Sequence, residues 1–302
     1  MKRGDNMRAK QKVFFHHFSL SHPLQIGMMF FVIILVLRII EMFYFRLDEL
    51  WGEVFLSKLL GFLMIIGYLW LTKRKIGDIG LHSDHFLESL SIVIVFMTIS
   101  LAFSYFTEWI YLARKGLQPS LIIAPMSNSL DSEFAIQGGF LFGLWLIFGN
   151  FMNSFLEESL FRGVMMTHFR VRLSFWKANF LQAFLFGLWH IVWPIKSYIL
   201  GQMSASEAIV FAIGYIFLSA IIGLVWGYLF LKTNNLWAPW FAHTMNNSTM
   251  NLLHTVTVEG FDSGFMIRMT VFPFIALLTL FLIKWMAEHY QMPNLKKWDE
   301  FE

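Results

Sequence analysis

The chain has 302 residues, 57% of them hydrophobic and 14% charged, with a formal charge of +3 and no Cys. A soluble domain carries about 25% charge, so this composition excludes one. It predicts a polytopic membrane protein of the all-α class, its core packed between helices within lipid. The lack of Cys removes disulfides, thiol nucleophiles and Cys-ligated metals from consideration.

Residues 1–22 are basic and polar, with Lys2, Arg3, Arg8, Lys10 and Lys12. They lack an apolar core followed by a small-residue cleavage site, so no removable signal peptide is expected. They read as a cytoplasmic tail that sets topology rather than as a nucleic-acid arm, and no nucleic-acid partner is expected. The first span runs from about Leu24 to Phe45, enough for the roughly 20 residues a bilayer needs. Arg38 and Glu41 within it, three residues apart, read as a structural pair or as interfacial groups near the outer end. A connection with Arg46, Asp48, Glu49 and Glu53 follows. The second span, Val54 to Thr72, stops at Lys73, Arg74 and Lys75.

Ile76 to Leu81 and then His82 to His85 read as a short amphipathic connection on the membrane surface. The third span is Leu87 to Leu112, with Glu108 expected at the interface. The linker Ala113–Glu133, with two Pro and several Ser and Asn, reads as an ordered loop outside the bilayer. The fourth span is Phe134 to Phe161, and the basic stretch Arg162–Lys177 after it reads as a connection. The fifth is Ala178 to Trp193 and the sixth Glu207 to Leu231. Gly223 and Gly227 in the sixth have the small-residue spacing that lets helices approach closely. A tight turn at Lys232 leads to the seventh span, Trp237 to Val256. The eighth is Ile267 to Trp285, and the tail holds His289, Lys296 and Lys297.

The basic connections (the N-terminus, Lys73–Lys75, Arg162–Lys177, Lys232 and the tail) alternate with acidic or nearly neutral ones. The Lys/Arg bias then predicts about eight spans with both termini in the cytoplasm; the location expected for this integral membrane protein is the bacterial plasma membrane. The divisions expected are a basic tail over 1–22, N-terminal helices and loops over 23–133, a core over 134–256, and a last helix with its tail over 257–302.

Charges at membrane depth are costly and are read as functional by default. Glu157 and Glu158 sit near the end of the fourth span, and Arg162 follows Glu158 at i, i+4, where the two can pair on one helix face. Glu157 points about 100° away and has no local cation. An ion pair therefore accounts for one Glu and leaves Glu157 over. The fifth span ends near Phe186-Gly-Leu-Trp-His190. Alone, His190 reads either as a satisfied interfacial group or as functional. The seventh carries His243 and Asn247 at i, i+4, which read either as interhelical hydrogen-bonding groups or as part of a site.

Taken together, Glu157, His190, His243 and Asn247 lie on three apolar helices, and gathering them into one polar cavity is the arrangement of lowest cost. A Glu can act as general base on a water while a His shares in proton transfer. A second His and an Asn can donate to a developing oxyanion. Alternatively, Glu157, His190 and His243 could hold Zn²⁺ with a water in the fourth position. No Ser nucleophile motif, His-Glu-x-x-His or Gly-rich phosphate loop is present. Peptide hydrolysis by activated water is the enzymatic reading these residues support best. A proton-coupled transporter would use the same residue types, but no repeat of the kind such folds carry is visible.

The three segments resemble the motifs of the CPBP family of intramembrane proteases, the CAAX prenyl endopeptidases and bacteriocin-processing or immunity proteins also called Abi. Glu157-Glu158-Ser-Leu-Phe-Arg162 matches Glu-Glu-x-x-x-Arg, Phe186 to His190 matches Phe-x-x-x-His, and His243 to Asn247 matches His-x-x-x-Asn, in the family's order. The resemblance implies a CAAX-protease-like helical bundle with its catalytic core over 134–256 and a cavity open toward the cytoplasm. It implies that Glu157 and His190 activate water, that His243 and Asn247 stabilise the oxyanion, and that Glu158 and Arg162 orient the site. No obligatory cofactor is expected, although a divalent metal such as zinc on Glu157, His190 and His243 is the alternative. Expected partners are membrane lipid and a hydrophobic or lipidated peptide: prenylated, pheromone or bacteriocin-type. A non-catalytic regulator or immunity partner is the second reading.

Overall fold

A computed structural model of the chain describes residues 15–51, 54–126, 139–293 and 295–300. Most of the basic tail, Glu53 in the first connection, residues 127–133 of the linker and the start of the fourth span at 134–138 lie outside the described residues.

The fold is helical apart from one small sheet. Helix α1 (Pro23–Ile40) starts on a Pro, which supplies a preset φ where no N–H is needed, and continues through a π-helical turn at Glu41–Phe45. Helices α2 (Leu47–Trp51) and α3 (Leu56–Leu71) follow, then α4 (Phe86–Arg114). Helix α5 (Gly139–Glu158) passes through a π-helical stretch, Ser159–Met166, into α6 (Thr167–Arg172). Next come α7 (Phe175–Trp189), α8 (Val192–Ile199), α9 (Ala205–Thr233), α10 (Trp237–Leu252), α11 (Phe265–Leu278) and α12 (Leu280–His289).

Five helical runs among the described residues are long and apolar enough to cross a bilayer: Pro23–Phe45, Phe86–Arg114, Gly139–Arg172, Phe175–Ile199 and Ala205–Thr233. The pair α11 and α12, bent by 42°, makes a sixth if it counts as one span. The chain is therefore an integral membrane protein, and among the described residues five or six runs are long and apolar enough to span. Helix α3 has 16 residues, as does α10. At 1.5 Å per residue each rises about 24 Å, short of the roughly 30 Å hydrocarbon layer.

Two expectations about charged groups are corrected. Arg162 is not in a cytoplasmic connection. The helix continues past Phe161 to Arg172 as one 34-residue run, and Arg162 is fully buried. Arg38 and Glu41 are not a pair. The Glu41 carboxylate turns to the start of α3, accepting from Phe55 N at 2.8 Å, Leu56 N at 2.7 Å and Ser57 N at 2.7 Å. That occupies three of the four amides a helix start leaves open. Glu108 is fully buried, its Oε2 accepting from Arg268 Nη1 at 3.1 Å.

The Glu41 cap joins the end of α1 to the start of α3. Glu41→Ala is expected to destabilise the folded protein by about 2–3 kcal/mol, the scale of buried hydrogen bonds to a charged group. Denaturation in detergent measures it, and a loss below about 0.5 kcal/mol would show that water replaces the carboxylate.

The connection after α3 is docked into the bundle. Its 3₁₀ turn, Ile76–Ile79, buries Ile79 against Gly163, where an added Cβ would stand 3.1 Å from Ile79 Cβ. The Gly80 carbonyl accepts from Leu236 N at 2.8 Å, with Gly80 at φ +89°. Gly223 fulfils the expectation for the sixth span. A Cβ there would meet Ala183 Cα at 3.1 Å, so α7 and α9 run at close backbone approach.

At the end of α6, His168 Nε2 lies 2.6 Å from Tyr68 Oη on α3. Arg170 Nη1 donates to the carbonyl of Leu295 at 2.9 Å. The helix that carries the two Glu therefore ends in contacts to α3 and to the C-terminal segment.

The sheet was not expected. Strand β1 (Ser120–Ile123) lies in the linker, β2 (Leu253–Thr257) follows α10 directly, and β3 is Gly260–Phe261. The order is β1-β2-β3, antiparallel, with Ser120 opposite Val256 and Thr257 opposite Gly260. The seventh span thus ends at Leu252, because its β-branched continuation Thr255-Val256-Thr257 pairs as a strand. In the loop after it, burial works to raise the Asp262 carboxyl, but the hydrogen bond from His254 and the Arg268 charge hold it below the ordinary carboxylate range.

Candidate functional site

Glu157 and Glu158 close the last α-helical turn of α5, and Arg162 lies in the π-helical stretch behind them. Both Glu are buried, Glu157 at 4% exposure and Glu158 at 0%, so each needs partners. Glu158 Oε1 takes two of them. Arg162 Nη1 donates to it at 2.9 Å and His243 Nδ1 at 2.9 Å. Arg162 also donates to the Gly223 carbonyl at 3.1 Å and lies 4.5 Å over the Phe186 ring. Glu158 and Arg162 thus tie α5, α7, α9 and α10 together. His243 is stacked on Trp226 at 4.5 Å between ring centroids and meets Phe186 edge-on at 5.9 Å.

Glu157, which has no cation near it in sequence, takes two from distant helices. Its Oε1 lies 2.9 Å from Lys58 Nζ and 3.6 Å from Arg38 Nη1, and it accepts from Trp189 Nε1 at 2.9 Å. Lys58 also bonds Asn153 Oδ1, one helical turn before Glu157. Arg38 lies 4.2 Å over the Trp189 ring. The other oxygen, Oε2, stands 3.9 Å from His243 Nε2, too far for a direct hydrogen bond and within the reach of one bridging water.

His190 ends α7. Its Nδ1 lies 2.8 Å from the Phe186 carbonyl. A carbonyl only accepts, so Nδ1 carries the hydrogen and Nε2 of the neutral ring is left as an acceptor. The ring packs on Phe186 at 4.9 Å and Tyr215 at 5.2 Å, within electrostatic range of Glu157 and His243. His243 Nδ1 donates to the Glu158 carboxylate. Asn247 is one turn beyond His243 on α10, and its Oδ1 accepts from Asn246 at 3.1 Å, which leaves its amide N–H groups to donate. Among the described residues no hydrogen bond ties Asn247 to Glu157, His190 or His243.

The fold therefore gathers Glu157, His190 and His243 around one point, with Glu158 and Arg162 beneath His243. Sequence reasoning missed Lys58 and Trp189 and gave Arg38 the wrong partner. Lys58 sits inside an apolar run, which was itself the available signal. Two buried carboxylates here, Glu157 and Glu158, meet three cations, Arg38, Lys58 and Arg162. Lys58 and Arg38 occupy one Glu157 oxygen and Glu158 takes His243 Nδ1, which leaves Glu157 Oε2 and His243 Nε2 facing each other. Among the described residues, no three His, Asp or Glu side chains are set to hold a metal ion.

The comparisons bear on this same stretch. Residues 139–249 match the family described as Type II CAAX prenyl endopeptidase Rce1-like. The match includes Glu157, Glu158, Arg162, His190, His243 and Asn247, and it excludes Arg38 and Lys58. No curated protein matches the chain.

Proposed function

We propose, from the premise that residues 139–249 are an Rce1-like type II CAAX prenyl endopeptidase domain of the CPBP family, that the chain cuts a peptide bond in a membrane-associated substrate with a Glu/His-activated water. The single observation that carries this is the spacing at Glu157, whose Oε2 stands 3.9 Å from His243 Nε2, with the His190 ring in electrostatic range of the same carboxylate.

In this reading a water sits against Glu157 Oε2 and His190 Nε2. As its oxygen bonds to the scissile carbonyl carbon, its proton passes to one of these acceptors. The carbonyl electrons move onto oxygen, where His243 Nε2–H, in the imidazolium form beside Glu158, and the Asn247 amide donate. Collapse breaks the C–N bond and the stored proton goes to the leaving amine. Glu158 and Arg162 orient His243 and take no proton. The substrate class is a hydrophobic or lipidated peptide: a prenylated CAAX-type C-terminus, a pheromone or a bacteriocin precursor.

The test is hydrolysis of a farnesylated CAAX peptide and of unprenylated apolar peptides by the purified protein in detergent. Cleavage that disappears in Glu157→Gln supports the reading. The Lys58 and Arg38 contacts also suit a purely structural charge cluster, which favours a second reading as a non-catalytic membrane regulator or immunity partner. A folded, inserted protein that cuts none of these peptides decides for it. Chelation gives a separate check. EDTA or phenanthroline is expected to leave at least about half of the activity, because the general base is a protein group. Complete loss restored by Zn²⁺ would move the mechanism to a metal-bound water.

A further inference from the structure

Lys58 lies on α3, outside residues 139–249 and outside the three motifs. It is buried at 5% exposure in the middle of the site. Its ammonium joins two groups of α5 that are one turn apart, Asn153 Oδ1 and Glu157 Oε1. The three cation or N–H contacts described for the Glu157 carboxylate fall on the same oxygen. Lys58 Nζ and Trp189 Nε1 are each 2.9 Å from Oε1, and Arg38 is 3.6 Å from it. Oε2 instead faces His243 across 3.9 Å.

The base of Lys58 is held as firmly as its tip. The residue before it, Ser57, donates its backbone N–H to Glu41 Oε2 at 2.7 Å, so the first turn of α3 is fixed to the end of α1. Lys58 is thereby presented to Glu157 by an anchored backbone, despite its flexible stem.

We infer that Lys58 is a positioning residue for the reaction: by taking Oε1 it fixes the carboxylate plane and leaves Oε2 as the oxygen that meets the water. The inference rests on the proposed endopeptidase reading and extends the working site beyond residues 139–249 to α1 and α3. A cation that merely compensated charge would need no particular oxygen. One that positions the base must hold the same oxygen throughout, and loss of that hold misplaces the base. A displacement near 1 Å lowers rates about a hundredfold.

The experiment compares wild type, Lys58→Met, Lys58→Arg and Glu157→Gln on the farnesylated CAAX peptide, with kcat, KM, a pH–rate profile and thermal stability for each. The groups facing Glu157 are Lys58 on α3, Arg38 on α1, His190 on α7 and His243 on α10, with Glu158 and Arg162 on its own helix. Lys58→Met removes one cation from this set. The expected result is a fall of about a hundredfold in kcat with KM within about threefold. The acid limb of the profile should move about one pH unit or more upward, since a nearby cation no longer favours the carboxylate. Lys58→Arg keeps the charge and should restore the profile and much of kcat.

A Lys58→Met protein with lower stability but a superimposable pH profile and kcat within about twofold, against the hundredfold a misplaced base implies, would overturn the inference and leave Lys58 structural. Should Lys58→Met not fold, Arg38→Gln decides. It should move the acid limb the same way by less, and an unmoved limb overturns the inference. Failure of the parent reading looks different: wild type itself is inert on every peptide, and the role of Lys58 falls with it. Wild-type cleavage lost in Glu157→Gln but kept in Lys58→Met sinks this inference alone.

Discussion

Glu157→Gln is expected to lower peptide hydrolysis by about a thousandfold or more, within the range that general base catalysis supplies. The amide keeps the shape of the side chain and removes the oxygen that accepts the proton. It also leaves Lys58 and Arg38 against a neutral group, 2.9 Å and 3.6 Å from the position of Oε1. Removing one partner of a buried ion pair costs about 3–5 kcal/mol, so the activity loss must be measured per folded molecule. The double variant Glu157→Gln/Lys58→Met separates the two effects. It removes one stranded cation and should recover part of the stability while recovering no activity. Coupling of this kind is expected for residues in direct contact. Activity within about tenfold of wild type in folded Glu157→Gln, well short of what general base catalysis supplies, would remove Glu157 from the chemistry.

Arg162→Ala is expected to destabilise the bundle by about 3–5 kcal/mol and to lower activity with it. Glu158 would lose the 2.9 Å ion pair while staying fully buried. The Gly223 carbonyl would lose its donor and the Phe186 ring its guanidinium neighbour. His243 would then be the remaining hydrogen-bonded partner of Glu158 Oε1, and its ring would no longer be held by a shared carboxylate. Adding Glu158→Gln should return part of the stability, because it removes the stranded charge. It should not return the activity, because a neutral amide supports an imidazolium less well. Thermal unfolding in detergent and hydrolysis per folded molecule measure both. A purely kinetic defect with unchanged stability would show that the buried pair is not what holds these helices.

The reading of three motifs on three helices was legible because each is a short, local pattern. Helical spacing puts Glu158 with Arg162 and His243 with Asn247 whatever surrounds them. The cost of polar groups in lipid then argues that they share a pocket. What escaped was pairing between distant segments. Nothing in the spacing of α1 or α3 says that Arg38 and Lys58 reach Glu157. Those two contacts are set by how the helices pack, and packing is a tertiary property that a local pattern does not carry. Glu41 misled for the same reason: its nearest cation in sequence is Arg38, but its partners are the amides of Phe55, Leu56 and Ser57. Arg162 misled in another way. Counting Lys and Arg to assign connections treats every cation after a span as solvated, and this one is inside. The sheet was hidden because Leu253–Thr257 is apolar enough to extend a span, and its partner strand lies in a linker read as a loop.

The widened turns at Ser159–Met166 set the phase between two ends of one long rod. A π-helical turn holds more residues than an α-helical one. Deleting a single residue from this stretch would let it rewind to 3.6 per turn and swing everything beyond by about 100° relative to the paired carboxylates. His168 would rotate off Tyr68 and Arg170 off the Leu295 carbonyl, while Glu157 stayed where it is. The local unwinding thus works as a fixed angular offset, letting one continuous helix satisfy a pocket at one height and an anchoring point at another.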